Sequence, residues 1–127
     1  MLYNNSGSFN VASGQYSLFI NNSGWNNVAI GTFALATGTT HSNNVGIGSE
    51  ALVGNNGFGN VGIGTRANYN NYEGNYNTAL GTDATVLVGN LSNATAIGSG
   101  AIVDASNKVR IGNSGVTVIE GQFHRQL

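Results

Sequence analysis

The chain has 127 residues, a formal net charge of −1 and charged side chains at only 7% of its positions. This length fits a single domain, and so few basic residues provide no positive field for a nucleic-acid backbone. Cysteine is absent, which excludes disulfide bonds and thiolate metal sites, whereas 20 glycines accompany a polar content rich in Asn, Ser and Thr.

A short pattern recurs seven times along the chain. Each repeat has an apolar triplet followed by a glycine, here called the anchor glycine, as in NVAIGTFAL around Gly31 and NVGIGSEAL around Gly48. Successive anchors are 17, 17, 16, 17, 17 and 14 residues apart, which is typical of a repeat architecture. The anchor glycines are Gly14, Gly31, Gly48, Gly64, Gly81, Gly98 and Gly112.

The triplet alternates large, small and large side chains, as in Val28, Ala29 and Ile30. A period of two with β-branched residues is typical of a short strand. We expect a second short strand after the anchor, as at residues 32–35, and turns of Asn, Gly and Ser between the strands. The repeats show no 3.6-residue period, so the sequence predicts no helix.

A unit of about 17 residues cannot bury its own apolar face, but stacked units can. We therefore predict an all-β fold, a parallel β-solenoid of about seven coils in which each coil is one repeat. Equivalent residues of neighbouring coils should then lie about 4.8 Å apart. Residues 1–106 contain the regular repeats, and residues 107–127 contain a degenerate last repeat and a connector segment.

So thin a coil can direct only one face of the triplet inward. We expect the small residues, such as Ala29 and Gly46, to face the interior and the Val and Ile columns to point outward. The reverse assignment stays open, and it leaves the column of Leu18, Leu35 and Leu52 to be covered. An outward apolar stripe along a rod favours symmetric self-association. The predicted interface residues are Val28, Ile30, Val45, Ile47, Val61, Ile63, Leu80 and Ile97.

The string NNVAIG, followed two residues later by AL, resembles the head repeats of trimeric autotransporter adhesins, the YadA-like head, and related repeats of tail-fibre-like proteins. The resemblance covers about residues 10–112, and residues 107–121 resemble the segment that often precedes a trimerisation chaperone. It implies a left-handed parallel β-roll, with three chains packed around one axis, and a role in surface attachment. It also implies an extracellular location, either on a bacterial surface, with the outer-membrane anchor outside this chain, or in a phage fibre.

The function that the resemblance implies is a non-catalytic homotrimer that attaches to host or environmental surfaces by multivalent binding. Its ligand would be an extracellular matrix protein or a glycan. A ligand-free spacer of a phage or bacterial fibre is an open alternative. An ice-binding solenoid is another, because a Thr or Ser follows five anchors directly, at Thr32, Ser49, Thr65, Thr82 and Ser99.

The chain has few groups that could support catalysis or bind a metal. Glu50 and Asp83 occupy equivalent positions two coils apart, with Arg66 between them, which does not form the acid pair of a hydrolytic site. The two histidines, His41 and His124, are far apart in the sequence. We predict no enzymatic activity, no cofactor, no metal, no nucleic-acid partner and no membrane contact within this chain.

The position two residues after the anchor varies most between repeats. Phe33 is followed there by Glu50, Arg66 and Asp83, which alternate in sign on successive coils. This alternation predicts either a solvated ladder that keeps the coils in register or a recognition stripe.

The loop NYNNYEGNYN contains Tyr69, Tyr72 and Tyr76. Exposed tyrosines among asparagines suit contact with a glycan or a protein, although they can equally pack over a loop. Trp25 in the turn NSGWNN has the same two interpretations. The asparagines of successive turns are expected to hydrogen-bond to one another along the solenoid.

Arg110 takes the small interior position of the triplet in the last repeat. A buried Arg needs partners for its charge. We therefore expect the regular coils to end before Ile111, where a different packing begins.

Overall fold

The computed structural model describes residues 3–4 and 7–121. It is an all-β structure, and no helix occurs within these two ranges. The strands found there are β1 (Tyr3–Asn4), β2 (Val11–Ser13), β3 (Ile20–Asn21), β4 (Val28–Ile30), β5 (Val45–Ile47), β6 (Val61–Ile63), β7 (Thr78–Leu80), β8 (Thr85–Val86), β9 (Thr95–Ile97), β10 (Ile102–Val103) and β11 (Val109–Ile111).

The triplets of all seven repeats form one parallel sheet, with the order β11-β9-β7-β6-β5-β4-β2. The register follows the repeat, since Val28 pairs with Val45 and Val45 pairs with Val61. The chain is therefore a parallel β-solenoid of about six turns with a spacing of about 17 residues. The predicted all-β fold and the parallel solenoid with a repeat of about 17 residues are confirmed.

The anchor glycines stack on one another along the solenoid. Gly48 has a φ of 130°, a conformation that residues with a side chain rarely adopt. A Cβ on Gly48 would lie 2.6 Å from the carbonyl carbon of Gly64, the anchor of the next coil. Gly31 makes the same approach to Gly48. Both the backbone conformation and the close approach of the coils therefore require glycine at the anchor.

The predicted inner and outer faces of the triplet are confirmed. Ala29 and Gly46 are buried, whereas Ile30 and Ile63 are each 40% exposed. The small residues that follow the anchors by three positions are buried as well: Ala34, Ala51, Ala67, Ala84 and Ala101.

The leucine column lies inside the solenoid. Leu18, Leu35 and Leu52 are fully buried and form a core cluster with Ala29 and Ala34. The core of these coils is thus a leucine enclosed by small residues, and no external cover of the leucines is needed.

The expectation of a second strand at residues 32–35 is wrong, because this segment is a turn. Phe33 and Leu35 adopt left-handed φ angles of 58° and 49°. Two such residues in one short segment bend the chain and turn the leucine inward, which an extended strand would not do.

Two later coils do form a strand after the anchor, and β8 and β10 pair in parallel there. The position of Leu35 is held in these coils by Thr85 and Ile102, whose β-branched side chains disfavour the left-handed region. Val86 and Val103, one residue further along, fill the interior instead. The cross-section of the solenoid therefore changes along its length.

Asparagines form a hydrogen-bonded ladder between coils, as expected. Asn44 Oδ1 accepts a hydrogen bond from the Asn60 backbone N–H at 2.8 Å, and Asn44 Nδ2 donates to the Gly57 carbonyl at 2.9 Å. It also donates to Asn27 Oδ1 at 3.3 Å. These bonds satisfy backbone groups that the interior would otherwise leave unpaired. The interior ladder comprises Asn10, Asn27, Asn44, Asn60 and Asn77.

The last repeat stays in the sheet, so the expectation that regular pairing ends before Ile111 is wrong. The strand β11 pairs in register with β9 and places Arg110 opposite Ala96. Arg110 is nevertheless exposed, because β11 is the terminal strand of the sheet, and its Nε donates to the Gly112 carbonyl at 3.0 Å. The inner and outer faces are not exchanged, since the small middle residues of the triplets in β4, β5, β6, β7 and β9 are buried.

Candidate functional site

The outer face of the seven-stranded sheet carries an apolar stripe. Ile30 and Ile63 are 40% exposed, and Leu80 and Ile97 are 36% exposed. The valines that begin the triplets, such as Val45, are partly buried beside them. The structure thus aligns all eight predicted interface residues on one face. We call this surface the outer stripe: Val28, Ile30, Val45, Ile47, Val61, Ile63, Leu80 and Ile97.

The outer stripe carries no charged side chain. The nearest charges in the sequence, Glu50, Arg66 and Asp83, follow the anchors by two residues and lie in the bend beyond the sheet. An apolar surface without charges can be buried against a partner without desolvating an ion.

That bend brings two of the three predicted ladder charges together. Arg66 Nε lies 3.3 Å from Asp83 Oδ1, and both side chains are about half exposed. The Arg66 guanidinium also lies over the Tyr69 ring, with its central carbon 4.6 Å from the ring centroid. Glu50 makes no ion pair with any residue that the structure describes.

At the other end of the same column, aromatic rings take the place of charges. Phe33 stacks on Tyr16, with ring centroids 5.0 Å apart and an interplanar angle of 19°. Tyr16 also meets Phe19 edge to face at 5.1 Å. These contacts join successive bends, and Phe33 keeps an exposed face.

Aromatic side chains also line the bend that precedes the triplets. Trp25 and Phe58 stand six residues before their anchors, and Phe9 and Tyr76 stand five residues before theirs. All four are between 44% and 84% exposed, and Phe58 meets Tyr76 edge to face at 4.9 Å. We call these four residues the aromatic edge. An alignment of the repeats on their anchors contains this signal, but its members are up to 67 positions apart in the sequence.

The three tyrosines of the loop NYNNYEGNYN do not form one cluster. Tyr76 belongs to the aromatic edge, and Tyr69 is partly buried beside Arg66. Tyr72 is exposed and lies against Gly54 of a neighbouring coil. Of the loop, only Tyr76 therefore shares a surface with aromatic residues of other coils.

Uncharged polar groups surround the aromatic edge. The backbone N–H of Trp25 donates to Ser42 Oγ at 3.2 Å, and the backbone N–H of Phe58 donates to Asn75 Oδ1 at 2.9 Å. Rings held beside amides and hydroxyls suit a neutral polar ligand. In the other repeats the two positions of the edge hold Ser8, Asn26, Ser42, Asn43, Gly59, Asn75, Ser92, Asn93, Ser106 and Asn107.

The hydroxyl residues that follow the anchors form a separate exposed column. None of them is buried, and they stack at successive bends. The column consists of Thr32, Ser49, Thr65, Thr82 and Ser99.

Residues 7–121 contain no group of three or more acidic or histidine side chains that could bind a metal ion, and no pocket opens on their surface. Asp104 pairs with Lys108 at 2.7 Å, and this hydrogen bond lowers the pKa of the Asp104 carboxyl. His41 is buried inside its coil, and His124 lies outside the described residues. Nowhere in the described chain does a helix have the length and apolarity needed to cross a membrane.

Comparisons of the chain with protein-family models, with curated proteins and with solved structures gave no match. The function is therefore inferred from the fold and its surfaces.

Proposed function

We propose that the chain is a non-catalytic adhesive head module whose outer stripe joins three copies of the chain around one axis. The observation that carries this proposal is a charge-free apolar stripe on a solenoid whose own interior is already filled by leucine and alanine. In a monomer the stripe would face water from Ile30 to Ile97. The outer face of a solvent-exposed strand is ordinarily polar. An apolar row of this length therefore favours burial against a partner chain.

The resemblance of the repeats to the YadA-like head supports the number of chains. It implies a left-handed β-roll with three-fold symmetry, and the seven repeats of the sequence favour about seven coils. A closed cyclic trimer gives every stripe an equivalent partner surface and leaves no stripe free for open-ended growth. The same resemblance supports a place on a bacterial surface or in a phage fibre.

The aromatic edge is the proposed contact surface. It lies on the bend that precedes the triplets, whereas the anchors lie on the bend that follows them, and adhesion requires it to stay exposed when the outer stripe is buried. Three identical edges would gain avidity without any new contact, which suits attachment through individually weak sites. A glycan or a matrix protein segment with neutral polar groups fits the mixture of rings, amides and hydroxyls.

The molar mass in solution tests the assembly. We expect about 39 kDa, three times the 13.0 kDa of one chain. The double variant Ile47→Ser and Ile63→Ser should lower the mass to that of one chain, because both substitutions remove apolar surface from the centre of the stripe. Serine is compatible with this position, since Ser13 occupies it in the first repeat. A wild-type mass of one chain would contradict the trimer.

Adhesion is tested with a glycan array and a panel of extracellular matrix proteins. The wild-type chain should bind at least one probe, and the variant Phe9→Asn, Trp25→Ser, Phe58→Ser and Tyr76→Asn should lose that binding. Each substitution introduces a residue that other repeats carry at the same position, so the fold should persist. Binding that survives in the variant would exclude the aromatic edge as the contact, and binding of no probe would favour a spacer.

An ice-binding solenoid is the second candidate, because the hydroxyl column from Thr32 to Ser99 is exposed and regularly spaced. A single column offers a narrow surface, which is why adhesion is preferred. An ice-recrystallisation assay separates the two functions, since an adhesive head should show no inhibition.

A further inference from the structure

One coil exchanges the residue types of two positions that share the interior. In the coil before it, Asn21 Oδ1 accepts a hydrogen bond from the Gly24 N–H at 2.8 Å, and Asn21 Nδ2 donates to the Gly24 carbonyl at 3.1 Å. One coil later, Gly38 takes the position of the asparagine and His41 takes the position of the glycine. In this coil the interior side chain therefore comes from position 41, which is equivalent to Gly24, and not from position 38, which is equivalent to Asn21.

The His41 ring occupies the space that an asparagine amide fills in neighbouring coils. A Cβ on Gly38 would collide with the Asn55 carbonyl oxygen and with the ring Nδ1, so both the next coil and the ring require glycine at position 38. The side chain is fully buried, and neither Nδ1 nor Nε2 has a hydrogen-bond partner. An amide that satisfied its neighbours has thus been replaced by a ring that is itself unsatisfied.

The groups packed against His41 are uncharged. The coil before it contributes Gly24 and Asn27, whose Nδ2 donates to the His41 carbonyl at 2.8 Å, and the coil after it contributes the backbone of Asn55. Burial lowers the pKa of His41 from 6.5 to about 4, and the nearby Asn55 backbone carbonyl opposes this shift. No charged side chain offsets the burial.

We propose that His41 is an acid-sensitive switch, and that protonation of its ring opens the segment of residues 36–44. A neutral imidazole is tolerated in this interior, but an imidazolium has no anion there and only the Asn55 carbonyl as a nearby acceptor, so it must reach water. The open segment binds the proton from pH 6.5 downwards, whereas the closed segment binds it only near pH 4. The closed state is therefore fully stable above pH 6.5 and loses stability progressively as the pH falls towards 4.

Opening of this segment would reach the aromatic edge. The Asn43 N–H donates to the Trp25 carbonyl at 3.0 Å, and Ser42 Oγ accepts from the Trp25 N–H. Loss of both bonds would free the backbone of Trp25, so acid should weaken adhesion. This consequence rests on the proposed function, whereas the opening itself does not.

Amide hydrogen exchange of the full chain at pH 7.5 and pH 5.0 tests the switch. The amides of Thr37, Thr39 and Asn43 all bond to neighbouring coils and report on the segment. After correction for intrinsic exchange, their opening should increase about 30-fold at pH 5.0, as the two proton affinities require. Amides of a distant coil, such as Gly98, should not share this increase.

The control is the double variant Gly38→Asn and His41→Gly, which restores the residue pattern of Asn21 and Gly24 and requires the Asn55 carbonyl to move away from position 38. It keeps every carboxylate of the chain, so it isolates the histidine, and its exchange in the segment should not depend on pH in this way. An equal acid response in the double variant, or none in the wild-type chain, would overturn the switch.

A titration of the His41 ring by NMR in the wild-type chain gives an answer even if the double variant does not fold. A midpoint well below 6.5 that coincides with opening of the segment supports the switch. A midpoint near 6.5 without opening overturns it. Because neither measurement needs a ligand, the switch and the adhesive function can fail separately.

Discussion

Asn68 is buried with no hydrogen-bond partner for its Oδ1 or Nδ2. It holds the position that Leu18, Leu35 and Leu52 fill in earlier coils, and its φ of 57° is close to the 53° of Leu52. Asn68→Leu should therefore raise the free energy of unfolding, by about 1–3 kcal/mol, because it removes an unsatisfied buried amide from an apolar column. Urea denaturation measures the change. The opposite exchange at the equivalent position of the preceding coil, Leu52→Asn, should lower the free energy of unfolding. A less stable Asn68→Leu variant would mean that the amide is satisfied in solution.

Gly48 shows how one residue can control the stacking of coils. Gly48→Ala should destabilise the chain by at least about 1–3 kcal/mol from backbone strain alone, and the Cβ would also press on the Gly64 backbone. Gly46→Ala, two residues earlier, is the matched control. It should change stability much less, since Ala29 and Ala79 occupy its position in other coils. Similar losses in both variants, measured by thermal unfolding, would contradict the special role of the anchor.

At the scale of the element, the asparagine ladder substitutes for regular strand pairing in the turns. Asn44→Ala would leave the Asn60 N–H without its acceptor and would remove one of the two side-chain donors to the Gly57 carbonyl. Each buried unsatisfied group costs about 1–3 kcal/mol, so we expect a loss of a few kcal/mol in the free energy of unfolding. Asn90→Ala, at an exposed turn, should be nearly neutral in the same denaturation experiment. Equal effects of the two substitutions would remove the ladder as a source of stability.

The charged bend is expected to contribute less than the ladder. In the variant Arg66→Glu, the attraction between residue 66 and Asp83 becomes a repulsion. The new carboxylate would also repel Glu50 on the preceding coil. Because these side chains are half exposed, we expect a loss of about 1 kcal/mol at low salt, and less at 1 M salt. The melting temperature at the two salt concentrations measures this loss. An unchanged melting temperature at low salt would leave recognition as the remaining interpretation of the charged bend.

At the scale of the whole molecule, each coil contacts its neighbours along one axis. Stability in such a solenoid is a sum of nearest-neighbour terms, and opening starts from the ends. Hydrogen exchange at pH 7.5 should be slowest in β5 and β6 and faster in β2 and β11, whose outer sides have no further strand in the sheet. Uniform protection along the described chain would contradict this order.

Much of the solenoid could be predicted because its determinants recur in register. The spacing of the anchors predicts the pairing of Val28 with Val45, and the small residues at Ala29 and Gly46 predict the inner face. The prediction of a strand at residues 32–35 is wrong, because apolar residues near a glycine suit either a strand or a turn. What separates the two is whether the residue at the position of Leu35 can adopt a left-handed φ.

The candidate surfaces were predictable to different degrees. Alternation along one strand is a local signal, so the outer stripe could be read directly from the triplets. The aromatic edge combines Trp25 with Phe58, and the switch combines His41 with Gly38 against the pattern of other coils. Such features appear only when residues many positions apart are compared at equivalent places in the stack.

By itself, the sequence determined the repeat and the strand register, because these depend on spacing and side-chain size alone. The tertiary structure decided which side chains enter the interior after the bend, how Arg110 avoids burial and which aromatic rings meet. The physical reason is that a backbone angle directs each side chain inward or outward. The stacking of coils then makes neighbours of residues that are distant in the chain.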